Sequence, residues 1–92
     1  MRTAWPTSLE LTQATLEVLI KIGRPCEVSQ LDREVTTVLN LSDELKGKMR
    51  STNRSEIQYR LAWTRTKAKQ SGLIQRESPR LWSITEKGRE SA

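Results

Sequence analysis

The chain has 92 residues, 35% apolar and 29% charged, with four Gly and three Pro. That suits one domain with one core and excludes collagen-like, low-complexity and disordered classes. The formal charge is +5, and the chain has a single cysteine and no histidine. An internal disulfide is therefore excluded, the common zinc ligand sets are absent, and the usual general base is missing. No apolar run reaches the ~18–20 residues of a membrane span, and Met1 to Glu10 lacks the apolar stretch of a signal peptide. The expectation is a cytoplasmic protein that is not an enzyme and needs no cofactor or metal.

The charge is unevenly placed. Residues 1–45 hold four Lys/Arg against seven Asp/Glu, whereas residues 46–80 hold ten against only Glu56 and Glu77. The last twelve residues cancel. One contiguous third of the chain thus carries +8, the asymmetry of a polyanion-binding face on a neutral scaffold. A plain solvated basic surface is the alternative.

After a tail at residues 1–8, a first helix is expected over about 9–22. Thr7 and Glu10 form a Thr-x-x-Glu capping box, with Thr12 as a later start. Leu9, Leu16, Leu19 and Ile20 lie on one face, widened by Val18 and Ile22, and Gly23 with Pro25 ends the helix. Pro25 to Val28 allows a brief strand, in which Cys26 is a small buried apolar residue. A second helix runs from Gln30 to Leu39 with Ser29 as N-cap and Asp32 in the first turn. Leu31, Val35, Val38 and Leu39 make its apolar stripe. Another helical turn, with Leu41 and Leu45 inward, leads into a basic loop from Lys46 to Arg54.

The third helix is the longest, from about Asn53 to Ser71, and ends at Gly72. Ile57, Leu61, Thr64 and Ala68 share its apolar face; Ser55, Tyr59, Ala62, Thr66 and Gln70 share the opposite one. Leu73–Glu77 and Arg80–Thr85 are short strands around a Ser78-Pro79 turn, with Trp82 and Ile84 on the apolar side. Thr85 then caps a brief final turn. A mostly α chain with a small β hairpin in this order fits a winged helix-turn-helix over 9–92: three helices plus a two- or three-stranded wing.

The run Arg60-Leu61-Ala62-Trp63-Thr64, then Gly72-Leu73-Ile74, then Trp82-Ser83-Ile84-Thr85 with Gly88, resembles the N-terminal winged-helix domain of Mrr-type restriction system proteins. The resemblance extends over nearly the whole chain from Leu9. In that family the domain precedes a nuclease domain and is taken to contact DNA. It implies a recognition module, for plain or modified DNA, in which Trp63 and Trp82 hold the third helix against the wing.

The residues assign two tasks. Phosphate contact falls to Lys48, Arg50, Thr52, Asn53 and Arg54 at the start of the third helix, where the macrodipole favours an anion. Base readout falls to Ser55, Gln58 and Tyr59, with Ala62 suited to a thymine methyl or an added methyl. Arg65, Thr66 and Lys69 continue this set along the helix, and Arg76 and Arg80 serve the wing. Trp82 is the alternative contact for a modified base. Asp43-Glu44-Leu45-Lys46 echoes part of a nuclease site, but a helix end cannot supply adjoining strands around a metal. The implied partner is double-stranded DNA, joined in a longer native protein by a second copy or a nuclease domain. The other function classes are a stand-alone winged-helix transcriptional regulator and a winged helix that docks proteins without nucleic acid.

Overall fold

A computed structural model describes all residues, Met1–Ala92. More than half of the chain is helical, with two small antiparallel sheets. The first helix, α1 (Ser8–Ile22), starts with the expected capping box: the Thr7 hydroxyl accepts from the Glu10 amide at 3.1 Å and the Glu10 carboxylate accepts from the Thr7 amide at 2.9 Å. Gly23, at φ 71°, ends it, and its N–H donates to Leu19. Leu11, Ala14, Thr15, Leu16, Val18 and Leu19 are buried. Leu9, expected inward, is exposed, and Leu11 takes the buried place at this end of the helix.

A two-residue strand, β1 (Cys26–Glu27), runs directly into α2 (Val28–Leu39). The helix therefore begins two residues before the expected start, and Ser29 is inside it rather than its cap. Glu27 occupies the N-cap position without a side-chain bond. The Val28 amide instead donates to the Arg80 carbonyl at 3.0 Å, so the turn at Arg80 satisfies an end that a serine would otherwise cap. Asp32 consequently lies past the first turn. Leu31, Val35 and Leu39 are buried, while Val38, in the last turn, is half exposed. Asn40, at φ 53°, turns the chain into a short α3 (Asp43–Gly47) capped by Ser42, with Leu41 and Leu45 inward as expected.

The expected loop after it is a hairpin. Strands β2 (Met49–Ser51) and β3 (Arg54–Ser55) pair antiparallel with a register shift, turning at Thr52-Asn53. None of its residues is buried. The long helix, α4 (Glu56–Gln70), starts three residues later than expected, because Ser55 and Gln58 form its capping box. Its inward face is the expected one: Ile57, Leu61, Thr64 and Ala68 are all buried.

The last strands, β4 (Ile74–Ser78) and β5 (Leu81–Ile84), pair with a bulge between Arg76 and Ser78. β1 joins on the far side of β5, with Cys26 opposite Trp82, giving the order β1-β5-β4. The final turn is a six-residue helix, α5 (Glu86–Ser91), capped by Thr85. Sixteen buried apolar residues from α1, α2, α4 and the sheet, with Leu41 and Leu45 at α3, form one core. Cys26 is part of it, and burial raises its thiol above the ordinary range.

The tail packs on this body. Arg2 pairs in parallel with Leu41, donating to the Asn40 carbonyl at 2.7 Å and accepting from the Ser42 amide at 2.8 Å. Its guanidinium meets Glu10 at 2.8 Å, and Pro6 is buried.

Candidate nucleic-acid interface

Successive α4 residues turn by about 100°, so the two sides of its outward ridge differ. Ser55, Gln58 and Leu61 line a groove of about 860 Å³ shared with α2, edged by Ser29, Asp32, Arg33, Lys46 and Arg80. Tyr59, Trp63 and Lys67 line a second groove of about 460 Å³ against α1 and the tail. Ala62 and Thr66 lie on the ridge between them, and the Thr66 hydroxyl is spent on the Ala62 carbonyl at 3.1 Å.

The expected readers at the helix start are partly engaged. The Ser55 hydroxyl accepts from the Gln58 amide at 3.2 Å, and Gln58 Oε1 accepts from the Ser55 amide at 2.9 Å. Gln58 keeps its NH2 group for a ligand but not a free donor–acceptor pair. Asn53 and Arg54 precede the helix in the hairpin, with Lys48, Arg50 and Thr52. The side chains of Lys48, Thr52, Asn53 and Arg54 are exposed and make no hydrogen bond or ion pair. Arg50 is different: its guanidinium lies 3.5 Å over the Tyr59 ring and 3.3 Å from Glu56.

Glu56 is the hub of that cluster. Its second oxygen accepts from Arg60 Nε at 2.8 Å, and Arg60 stacks over Trp5 at 4.4 Å. Burial pushes the Glu56 carboxyl up, but the hydrogen bonds and charges of Arg60 and Arg50 outweigh it and hold the group below the ordinary range. Neither Glu56 nor Arg60 was among the expected contacts, although their i, i+4 spacing on one helix is a pairing signal.

Two expected contacts are corrected. Arg65 does not reach outward: it is buried and paired with Asp32 of α2, bonding one carboxylate oxygen. Its charge thus serves the α2–α4 packing. Burial raises the Asp32 carboxyl above its ordinary range despite the Arg65 and Arg54 charges, and burial likewise lowers Arg65. Trp82 is 8% exposed, with its indole N–H buried and unpartnered, so it has no free face for a base. Trp63 departs from its expected packing role in the opposite sense, being 50% exposed because it sits on the α1 side of α4 above the core. In the β4–β5 hairpin, Arg76 donates to the Pro79 carbonyl at 2.8 Å, and Arg80 lies at the turn facing the α2 groove. Lys69 is exposed in the last turn of α4. No group of three or more His, Cys, Asp or Glu side chains could hold a metal ion, and no helix is long and apolar enough to cross a membrane.

Residues 9–92 match the family described as the Mrr N-terminal domain. The chain belongs to that family. Comparison with curated proteins and with solved structures finds no significant match. In this Mrr N-terminal domain the resembling motifs lie at joints of the scaffold. Gly72, at φ 77°, turns the chain from α4 toward β4. The Thr85 hydroxyl accepts from the Gly88 amide at 3.0 Å and donates back to the Gly72 carbonyl at 2.6 Å.

Proposed function

We propose that this Mrr N-terminal domain is a winged-helix DNA-recognition module of a restriction system protein. In this reading α4 enters the major groove, and the β4–β5 wing approaches the backbone. The helix order with sheet order β1-β5-β4 supports a winged helix. One observation carries the DNA reading. Of the ten Lys/Arg in residues 46–80, Lys48, Arg54, Lys67, Lys69, Arg76 and Arg80 are exposed and have no carboxylate partner. Free cations also keep a protein soluble, but these six fall within one third of the chain, and such a concentration of unpaired charge is what phosphate neutralises. Lys48 and Arg54 on the hairpin, with Thr52 and Asn53 at its tip, would position the duplex beside α4, and Arg80 would do so from the wing. Gln58, Tyr59 and Ala62 would meet base edges. The duplex is plain or carries a methylated base, which the open ridge at Ala62 leaves room for.

The test is a salt-dependent titration with matched duplexes, unmodified and methylated. If all six free cations meet phosphate, log K falls against log salt with a slope near −5, about 10³ in affinity between 50 and 200 mM. Arg54→Ala or Arg80→Ala makes the slope shallower for every duplex, whereas Gln58→Ala or Tyr59→Ala alters preference among sequences by about 1–3 kcal/mol. A flat salt response would overturn the DNA reading and favour a protein-docking winged helix, for which Trp63 and Met49 are among the exposed apolar side chains.

A further inference from the structure

The basic segment contains only two acidic residues, and they are used differently. Glu77 lies on β4 and accepts from Gln75 and Ser83 of the wing. Glu56 stands at the first position of α4, where the macrodipole favours an anion. Its carboxylate is only 15% exposed and is gripped from two sides. Arg60 comes from the same helix one turn on, but Arg50 comes from β2, outside the helix, and is 46% exposed. Apart from Ser55, whose hydroxyl caps α4, Arg50 is the one hairpin side chain that makes a polar contact with the rest of the protein.

We propose that Glu56 is a specificity-determining residue: its carboxylate occupies, for Arg50, the place of a DNA phosphate, and a duplex must displace it before Arg50 can engage the backbone. The proposal rests on the DNA reading above. A first-turn glutamate stabilises a helix wherever its side chain points, so a cap alone would not require an arginine from another element. Here Arg50 is held by a charge on one edge and by the Tyr59 ring on its face, in an orientation that presents neither Arg50 nor Tyr59 fully. A loosely seated duplex leaves this clamp closed and gains only the free cations. A duplex into whose groove α4 settles brings a phosphate up to the helix start, and that phosphate takes over Arg50. Non-specific binding is thereby held down at a position that specific binding can recover.

The measurement is binding to a random-sequence duplex across a salt series, for wild type, Glu56→Gln, Arg50→Ala and the double variant. Glu17→Gln, on the exposed face of α1, controls for net charge. Glu56→Gln is expected to bind about fivefold tighter, the size of one exposed ion pair, with a salt slope steeper by about 1. In the Arg50→Ala background the same change should be worth less than about twofold, since Arg60, the other cation released, is still held over Trp5. An equal gain from Glu17→Gln, or an undiminished gain without Arg50, would overturn the proposal. In the unaltered protein the Glu56 carboxyl carbon and the Arg50 guanidinium nitrogen signals should shift together as duplex is added; signals that stay put at saturation would overturn it even if Glu56→Gln folds poorly. If wild type and Glu56→Gln bind with one affinity and one slope, DNA binding stands and the clamp does not. If neither binds any duplex in low salt, the DNA reading itself falls.

Discussion

The Asp32–Arg65 pair offers the sharpest test of how α2 and α4 are held together. Arg65 is 10% exposed at its side chain and Asp32 20%, so the pair is largely out of water. Breaking such a pair costs about 3–5 kcal/mol, because the remaining charge stays desolvated. For 92 residues the whole stability is only about 5–14 kcal/mol. The two single substitutions should differ. Asp32→Leu strands a guanidinium that cannot deprotonate, and the full cost applies at any ordinary pH. Arg65→Met strands a carboxyl that can take up a proton, and burial already raises its pKa. With the folded pKa above the unfolded one, the native state holds the proton more tightly, so stability falls as pH rises through that window. The Arg65→Met penalty should accordingly be small near the acidic end and grow toward neutral pH. The double variant, with two apolar side chains in place of the pair, should return to within about 1 kcal/mol of wild type. Urea unfolding followed by tryptophan fluorescence at pH 5 and 8 measures all three. An Asp32→Leu cost below about 1 kcal/mol, the value of an exposed pair, would refute the buried placement. Arg65→Met should also leave the salt slope of DNA binding unchanged, since Arg65 has no open path to a phosphate.

Two further outcomes probe the scaffold. Trp82→Ala should cost about 3–5 kcal/mol in a urea melt, Trp82→Phe far less because the buried indole N–H has no partner to lose, and Trp63→Ala under about 1 kcal/mol. Gly88→Ala should unfold or severely weaken the domain, visible as a lowered melting temperature, because a Cβ there would lie 2.0 Å from the Leu73 carbonyl oxygen.

Elements whose residues pack on the core were legible in the sequence. The α4 apolar stripe and the Thr7/Glu10 capping box stand where periodicity and spacing put them, and Gly23 and Gly72 take positive φ. What could not be read depended on contacts from distant parts of the chain. The start of α2 is set by the Arg80 carbonyl, some fifty residues on, and no local cap signal announces it. The β2–β3 hairpin buries nothing, so it leaves no alternation of apolar and polar residues to detect. Arg65 looked like part of a basic face because its partner, Asp32, lies 33 positions earlier on another helix. Charge counting located the basic third of the chain but could not separate cations already paired inside the protein from those left free. That separation decides how many can meet phosphate.

The motifs that place the chain in its family say little about any partner. Trp82 fills the core; Ile84 packs against it; Thr85 caps α5 and ties it to the end of α4. Gly88 is small because the Leu73 carbonyl leaves no room for a side chain. Gly72 makes a left-handed turn, and Leu61 on α4 is buried. Each of these residues is constrained by the need to close a small core, a need that any domain of this architecture shares whatever its ligand. The residues left free to differ are those the core does not use: the segment from Lys48 to Arg54, the α4 ridge with Gln58, Tyr59 and Ala62, and the β4–β5 turn at Arg80. Trp63 belongs with them, although it stands inside the motif, since it is half exposed and the core does not require its indole. A partner's identity must therefore be sought in that exposed set, and Arg50 with Glu56 marks the point where scaffold and surface meet.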